Sequence, residues 1–158
     1  YFRTEKAIEL ETVFDEMARW AQRHVDADIA LSDRDAGMLM WKLRRRINTE
    51  QMLDGRNVVR FHFPDSNGKH DTYWFVAERG SDVDLCIHDP RLDPDLYVEC
   101  EVGVLTGIYM GRRSLSRDVD DGKLFLSGDT RLVKNFTKWL PPSVYADVEG
   151  IAAAKPSH

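Results

Sequence analysis

GVLTGIYMGRRSLSRDVDDGKLFLSGDTRLVKNFTKWL, residues 103–140, reads as one ordered supersecondary unit with apolar residues at every turn. Val104, Leu105, Ile108 and Tyr109 recur at helical spacing and stop at Gly111. Residues 112–119 form a second short amphipathic piece, Asp121-Gly122 a turn, and residues 123–127 a strand. Gly128-Asp129 then turns the chain into a last helix, with Leu132, Val133, Phe136 and Leu140 on one stripe and Asp129 as its N-cap.

Working outward from this unit, residues 4–25 predict a long amphipathic helix. Leu10, Val13, Phe14, Met17, Trp20 and Ala21 share a stripe, and Thr4 is placed to cap it. Residues 26–31 read as a connector. Ser32, three residues before Asp35, starts a second helix that runs through Ile47 with Met38, Leu39, Lys42 and Leu43 along one side. From Arg56 the period falls to two. Val59, Phe61 and Phe63 alternate with Arg60 and His62, and residues 64–69 make a turn. Residues 73–77 are apolar on both faces and predict a central strand. Residues 83–87 and 96–102 predict two more strands, separated by a loop that Asp89-Pro90 and Asp93-Pro94 bracket. Pro141-Pro142 closes the last helix and residues 152–158 read as a loose tail. The expected fold is α+β, a mostly antiparallel five-stranded sheet covered by helices and preceded by a long N-terminal helix.

A chain of 158 residues supports one domain with appendages. Hydrophobic residues at 42% and charged residues at 31% fit a folded globular protein rather than a disordered one. A formal charge of −5 gives no global attraction to nucleic acid or to an anionic membrane. No apolar run reaches the roughly 20 residues of a spanning helix, so no membrane partner is expected. Cys86 and Cys100 fall on strands with different alternation partners, which argues against a disulfide and for a reducing, cytoplasmic setting. The five histidines are scattered and make no metal spacing, so neither metal nor cofactor is expected. The chain opens on Tyr1 rather than a methionine, which suggests a processed product or an excised fragment.

Several residues invite a chemical reading that the spacing does not support. Asp84, Cys86 and His88 share a strand face, but such neighbours stand too far apart for a nucleophile–base hydrogen bond. Arg44, Arg45 and Arg46 point in different directions on a helix and read as a solvated face, not a nucleic-acid patch. Glu99 and Glu101 mark the solvent side of their strand. Trp20, Trp41 and Trp139 read as packing residues, whereas the strand carrying Trp74 is apolar on both sides and one side must face something.

Gly122-Lys123-Leu124-Phe125-Leu126-Ser127-Gly128-Asp129 followed by an amphipathic helix resembles the C-terminal half of the sterol carrier protein (type 2) domain. By order of elements the resemblance covers residues 33–140. It implies an apolar ligand pocket between sheet and helices and no catalysis. A second resemblance lies at the N-terminus. Tyr1-Phe2-Arg3-Thr4-Glu5-Lys6-Ala7-Ile8-Glu9-Leu10, then Val13 and Trp20-Ala21, is similar to the end of an HxlR-type winged-helix regulator, where a last wing strand leads into a subunit-pairing helix. Arg3 stands where that family has leucine, and Ala7 where it has glycine. A subgroup of those regulators carries a sterol-carrier-like second domain, which residues 43–47 and 84–90 also resemble.

Together the resemblances imply three segments. Residues 1–28 would be the end of a winged helix with its dimerisation helix, residues 29–142 a ligand-binding domain, and residues 143–158 a tail. The expected function is non-enzymatic binding of an apolar small molecule or lipid by the sensor domain of a transcriptional regulator. The alternatives are a lipid carrier without a regulatory role, and a small hydrolase using Cys86 or His88. Expected pocket residues, between the sheet and the helices of residues 34–47 and 103–119, are Met38, Trp41, Phe61, Trp74, Tyr97, Leu105, Ile108, Phe125 and Phe136. The expected partner is a second copy, paired through Leu10, Val13, Phe14, Met17 and Trp20. DNA would be contacted only by a winged helix upstream of Tyr1.

Overall fold

The computed structural model describes residues 3–151. Tyr1 and Phe2, which head the winged-helix-like sequence, and the tail at 152–158 lie outside them. Helix α1 spans Glu5–His24, and the Thr4 hydroxyl caps it by accepting from the Ala7 N–H at 3.2 Å. The connector contains a single helical turn, α2 (Ala27–Ala30). Helix α3 is Ala36–Arg44, shorter than the expected 32–47, because Asp35 rather than Ser32 is its N-cap. The Asp35 carboxylate accepts from the Gly37 and Met38 N–H groups, a stronger cap than a hydroxyl four residues out from the helix. A 3-10 turn at Thr49–Gln51 leads into the sheet.

Strands β1 (Arg56–His62), β2 (Thr72–Glu78), β3 (Val83–Cys86), β4 (Leu96–Cys100) and β5 (Leu124–Gly128) form one sheet in the order β3-β2-β1-β4-β5. Three of its pairings are antiparallel, and β1 runs parallel to β4, so the sheet is mixed. Between β4 and β5 come α4 (Val102–Tyr109) and α5 (Leu115–Asp120). The final helix is two pieces, α6 (Thr130–Lys134) and α7 (Phe136–Trp139), instead of the single helix expected over 129–140. Asn135 breaks it. At φ −101° and ψ 19° this residue leaves the helical region, its N–H still donating to the Arg131 carbonyl at 3.0 Å, while the next carbonyl, of Leu132, takes the Trp139 indole N–H at 2.9 Å. Asp129 caps α6 as expected, accepting from the Arg131 N–H at 2.8 Å.

The pleat sorts the sheet into two faces. Val59, Phe61, Phe75, Leu96 and Val98 lie on the covered face and are buried with Met40 and Leu43 of α3 and Leu105 of α4. The Phe61 and Phe75 rings meet edge-to-face with centroids 5.1 Å apart. Arg60, Trp74, Cys86 and Tyr97 fall on the opposite face in one register line. The parallel β1–β4 pair obliges the chain to travel from the β3 edge past β2 and β1. Residues 87–95 make that journey, and Asp95 fastens its end. Its carboxylate accepts from the Val58 N–H at 2.7 Å while its own N–H donates to the Val58 carbonyl at 2.8 Å.

Arg44 departs from the solvated-face reading. Its Nε donates to the Val83 carbonyl at 2.5 Å and ties α3 to the edge strand, while Arg45 stays exposed over the Trp41 ring. Trp139 closes the far end of the core. It is fully buried, its indole N–H donates to the Leu132 carbonyl at 2.9 Å, and its ring meets Phe136 at 4.9 Å. Trp139→Ala should therefore cost about 3–5 kcal/mol in urea unfolding. Phe125→Ala, on an exposed ring of the outer face, should stay within about 0.5 kcal/mol of wild type.

Candidate functional site

The covered face of the sheet is filled with side chains, and the apolar cavity lies one layer further out. It is a cleft of about 610 Å³ between α4, α7 and the segment that follows α7. Leu105 and Ile108 of α4 and Phe136 and Leu140 form its inner side. Tyr109, Gly111, Arg113 and Leu115 form a second side, and Pro142, Ser143, Val144, Ala146 and Asp147 close the third. This third wall sits in a stretch whose sequence reads as the start of a tail.

Of the nine residues expected around a pocket, the structure brings Leu105, Ile108 and Phe136 together in this cleft. The other six are elsewhere. Phe61 is fully buried among the core aromatics. Met38 and Trp41 lie on the exposed side of α3, because Leu39, Met40 and Leu43 are the residues that its packing buries. Phe125 and Tyr97 point away from the helices, since the β4–β5 register sets them on the outer face with Glu99 and Ser127. Trp74 is half-buried on that same face, beside the crossing loop. Of the location expected between the sheet and the helices of residues 34–47 and 103–119, the second helical segment lines the cleft, while α3 and the sheet do not, and a period of two does not reveal which of two faces the helices cover.

Backbone contacts hold the third wall in place. The Ser143 N–H donates to the Tyr109 carbonyl at 2.7 Å. At Gly111 a β-carbon would stand 2.2 Å from the Ala146 carbonyl oxygen, and φ is +73°, so no side chain fits there. Tyr145, on the reverse of the wall, packs on α1. Its hydroxyl bonds the Asp15 carboxylate, which this bond and Arg19 hold below the usual range, and Arg19 lies 5.7 Å over its ring. Gln22 of α1 donates to the Tyr145 and Met110 carbonyls, both at 2.9 Å, and accepts from Arg112 Nε at 3.1 Å. Arg112 in turn donates to the Val25 and Ala21 carbonyls at the end of α1. Gln22, Arg112 and Tyr145 have no signal in the periodicity. A buried glutamine on the polar flank of an amphipathic helix looks like any solvated one until its partners are known.

Arg113 borders the cleft with its charge already engaged. Its Nε and Nη2 donate to the two Asp118 oxygens at 2.8 and 2.6 Å, and both side chains are largely buried. Gly107 permits this path, because a β-carbon there would meet Arg113 Cδ at 2.4 Å. The five residues Leu10, Val13, Phe14, Met17 and Trp20 form an uncovered stripe, each 50–62% exposed.

Neither cysteine is an activated thiol. Burial and then Asp84 push the Cys86 thiol up, and burial pushes Cys100 up to about 12. A nucleophilic cysteine needs the opposite shift. Among the described residues no three His, Cys, Asp or Glu side chains gather as a metal site, and no helix is long and apolar enough to cross a membrane.

No family model and no curated protein matches the chain. Solved structures are similar to it. The stereoselective inverting sec-alkylsulfatase Pisa1 from Pseudomonas sp. matches 68% of this chain at 16% identity with a TM-score of 0.54. This chain covers only 16% of that enzyme's length. The sterol carrier protein 2-like 2 protein of Aedes aegypti matches 65% of this chain and 93% of its own, at 14% identity and a TM-score of 0.46. The UbiJ-SCP2 ubiquinone synthesis protein matches 66% and 86% at 21% identity and a TM-score of 0.47. At such identities the likeness to the alkylsulfatase segment is one of fold.

The Cys100 shift has a sign that unfolding can read. Below about pH 9 the thiol is protonated in folded and unfolded chains alike, and its contribution is fully present. Between about 9 and about 12 the unfolded chain loses the proton that the folded chain keeps, so stability falls as pH rises. Urea unfolding should show Cys100→Val losing less stability than wild type between about pH 8 and about pH 10.5, by up to about 1.4 kcal/mol per pH unit. Equal losses would show that Cys100 does not sense its burial.

Proposed function

We propose that this chain is a non-enzymatic receptor for an apolar small molecule or lipid, held in the cleft between α4, α7 and residues 142–147. The observation that carries the reading is the cleft itself, whose walls are aliphatic and aromatic with few polar groups. A site of this size and lining gains affinity by removing ligand surface from water, about 25 cal/mol per Å². Arg113, the cation at its border, is committed to Asp118. The sterol carrier likeness agrees with this reading of the site.

The finer reading is that of a sensor in a winged-helix regulator. Residues 143–147 present Val144 and Ala146 to the cleft and Tyr145 to α1, so filling the cleft bears on the helix through one short segment. In this reading α1 pairs with its copy through Leu10, Val13, Phe14, Met17 and Trp20, and DNA contact belongs to an upstream winged helix. An uncovered apolar stripe of this length is unusual on a monomer. A carrier without regulatory role would have no use for either feature.

The fluorescent probe N-phenyl-1-naphthylamine should bind wild type, and Val144→Arg, at the exposed rim, should weaken it about tenfold or more. Hydrogen exchange at the C-terminal half of α1 should slow when the probe is bound, and Tyr145→Phe should reduce that slowing. A probe that wild type and Val144→Arg bind alike would remove the cleft from consideration.

Light scattering at micromolar concentration should give a dimer, and Met17→Glu with Trp20→Glu should give a monomer of unchanged helicity. A monomeric wild type would leave the receptor reading in place and remove the pairing role of α1.

A further inference from the structure

We propose a second ligand site on the opposite face of the sheet, for a planar aromatic carboxylate. The crossing loop and the outer face enclose a cavity of about 420 Å³. Arg60 lies at the centre of its floor. Trp74 on β2 and Tyr97 on β4 are its direct register neighbours on either side. Adjacent strands run about 4.8 Å apart, so the two aromatic residues flank Arg60 across roughly 10 Å of backbone, and a flat ring would stack over this row, above the guanidinium. The Arg60 guanidinium already sits 5.9 Å from the centroid of the Tyr97 ring.

Arg91 of the loop lines the same cavity. It adopts φ +58°, the left-handed region that a non-glycine side chain rarely enters, and the Asp89 carboxylate fixes it by accepting the Arg91 N–H at 2.7 Å. Neither Arg60 nor Arg91 forms an ion pair with a carboxylate of the described residues. Two arginines without carboxylate partners beside two aromatic rings fit a ligand with a flat π-face and a carboxylate edge. Asp89 and Asp93 stand at the same cavity. Two positive and two negative residues leave the site net neutral, so a ligand is held by the guanidinium hydrogen bonds and ring contacts rather than by overall charge, and a doubly charged phosphate with no π-face is disfavoured. It lies across the sheet from the apolar cleft and does not depend on that reading.

Calorimetric titration with 2-naphthoate tests this. Wild type should bind it saturably, with inorganic phosphate failing to compete. Arg91→Gly removes the guanidinium and relaxes the positive φ, so it should bind roughly tenfold or more weakly while unfolding at the same or a higher urea concentration. Arg60→Gln should weaken binding similarly. Val144→Arg, at the apolar cleft, should leave it unchanged. Absence of binding by wild type, unchanged affinity in both arginine variants, or loss of binding in Val144→Arg alone would overturn the proposal.

Discussion

A guanidinium only 3% exposed sets the arrangement of this molecule. Arg112 cannot shed its proton at any ordinary pH, so its burial demands oxygen partners, even though desolvation lowers its pKa. It finds them at the C-terminal end of α1, in the carbonyls of Ala21 and Val25 and the side chain of Gln22. The Val25 carbonyl lies past the last bond of the helix, and the Ala21 carbonyl, which already accepts from the Val25 N–H at 2.9 Å, takes Arg112 as a second donor at the negative end of the helix dipole. One side chain therefore finds partners for its own buried charge and for the carbonyl of the residue that caps the helix. It also fixes the C-terminal end of a twenty-residue helix.

The same cluster explains why the apolar cleft is where it is. Gln22 holds the Met110 and Tyr145 carbonyls together, bringing residues 143–147 across the end of α4. Gly111 makes the closeness feasible, because any β-carbon would collide with the Ala146 backbone. The segment is held by its backbone, which leaves the side chains of Val144 and Ala146 free to line a hollow instead of filling it. A wall that hydrogen bonds support can stay in place without a packed interior behind it, and this separates the cleft from the sheet face, where Phe61, Phe75 and Leu105 are closely packed.

Periodicity made the elements legible and left their partners obscure. The α1 stripe, the five strands and the two short helices after β4 follow from spacing, because a period of two or of 3.6 is a local property. The Asp129 cap was legible for the same reason. The parallel β1–β4 pairing was not, since nothing local distinguishes a strand that returns by hairpin from one that crosses the sheet. That topology decides which face the helices cover. Tyr97 and Phe125 fall on the face that the helices leave bare, Met38 and Trp41 lie on the side of α3 turned away from its packing, and Leu105, Ile108 and Phe136 come together at the cleft. The split at Asn135 is not legible from spacing, because one asparagine lowers helix propensity only slightly and the Trp139 indole on the Leu132 carbonyl is visible only in three dimensions.

The crossing loop gives the parallel pair a consequence beyond topology. A hairpin connection would have left the outer face of β1, β2 and β4 open to water along its length. The route from β3 to β4 instead places Pro94 and Leu92 beside Trp74 and Tyr97. Asp95 anchors the end of that route to both backbone groups of Val58, and its carbonyl accepts from the Asp129 N–H at the start of α6. Gly128 must then pass against Asp95 with φ +147° and no room for a β-carbon. The Ser-Gly-Asp turn is thus tied at its glycine to the loop on one face and at its aspartate to the helix on the other. The residues that most resemble a sterol carrier motif are those that join the two faces of the sheet.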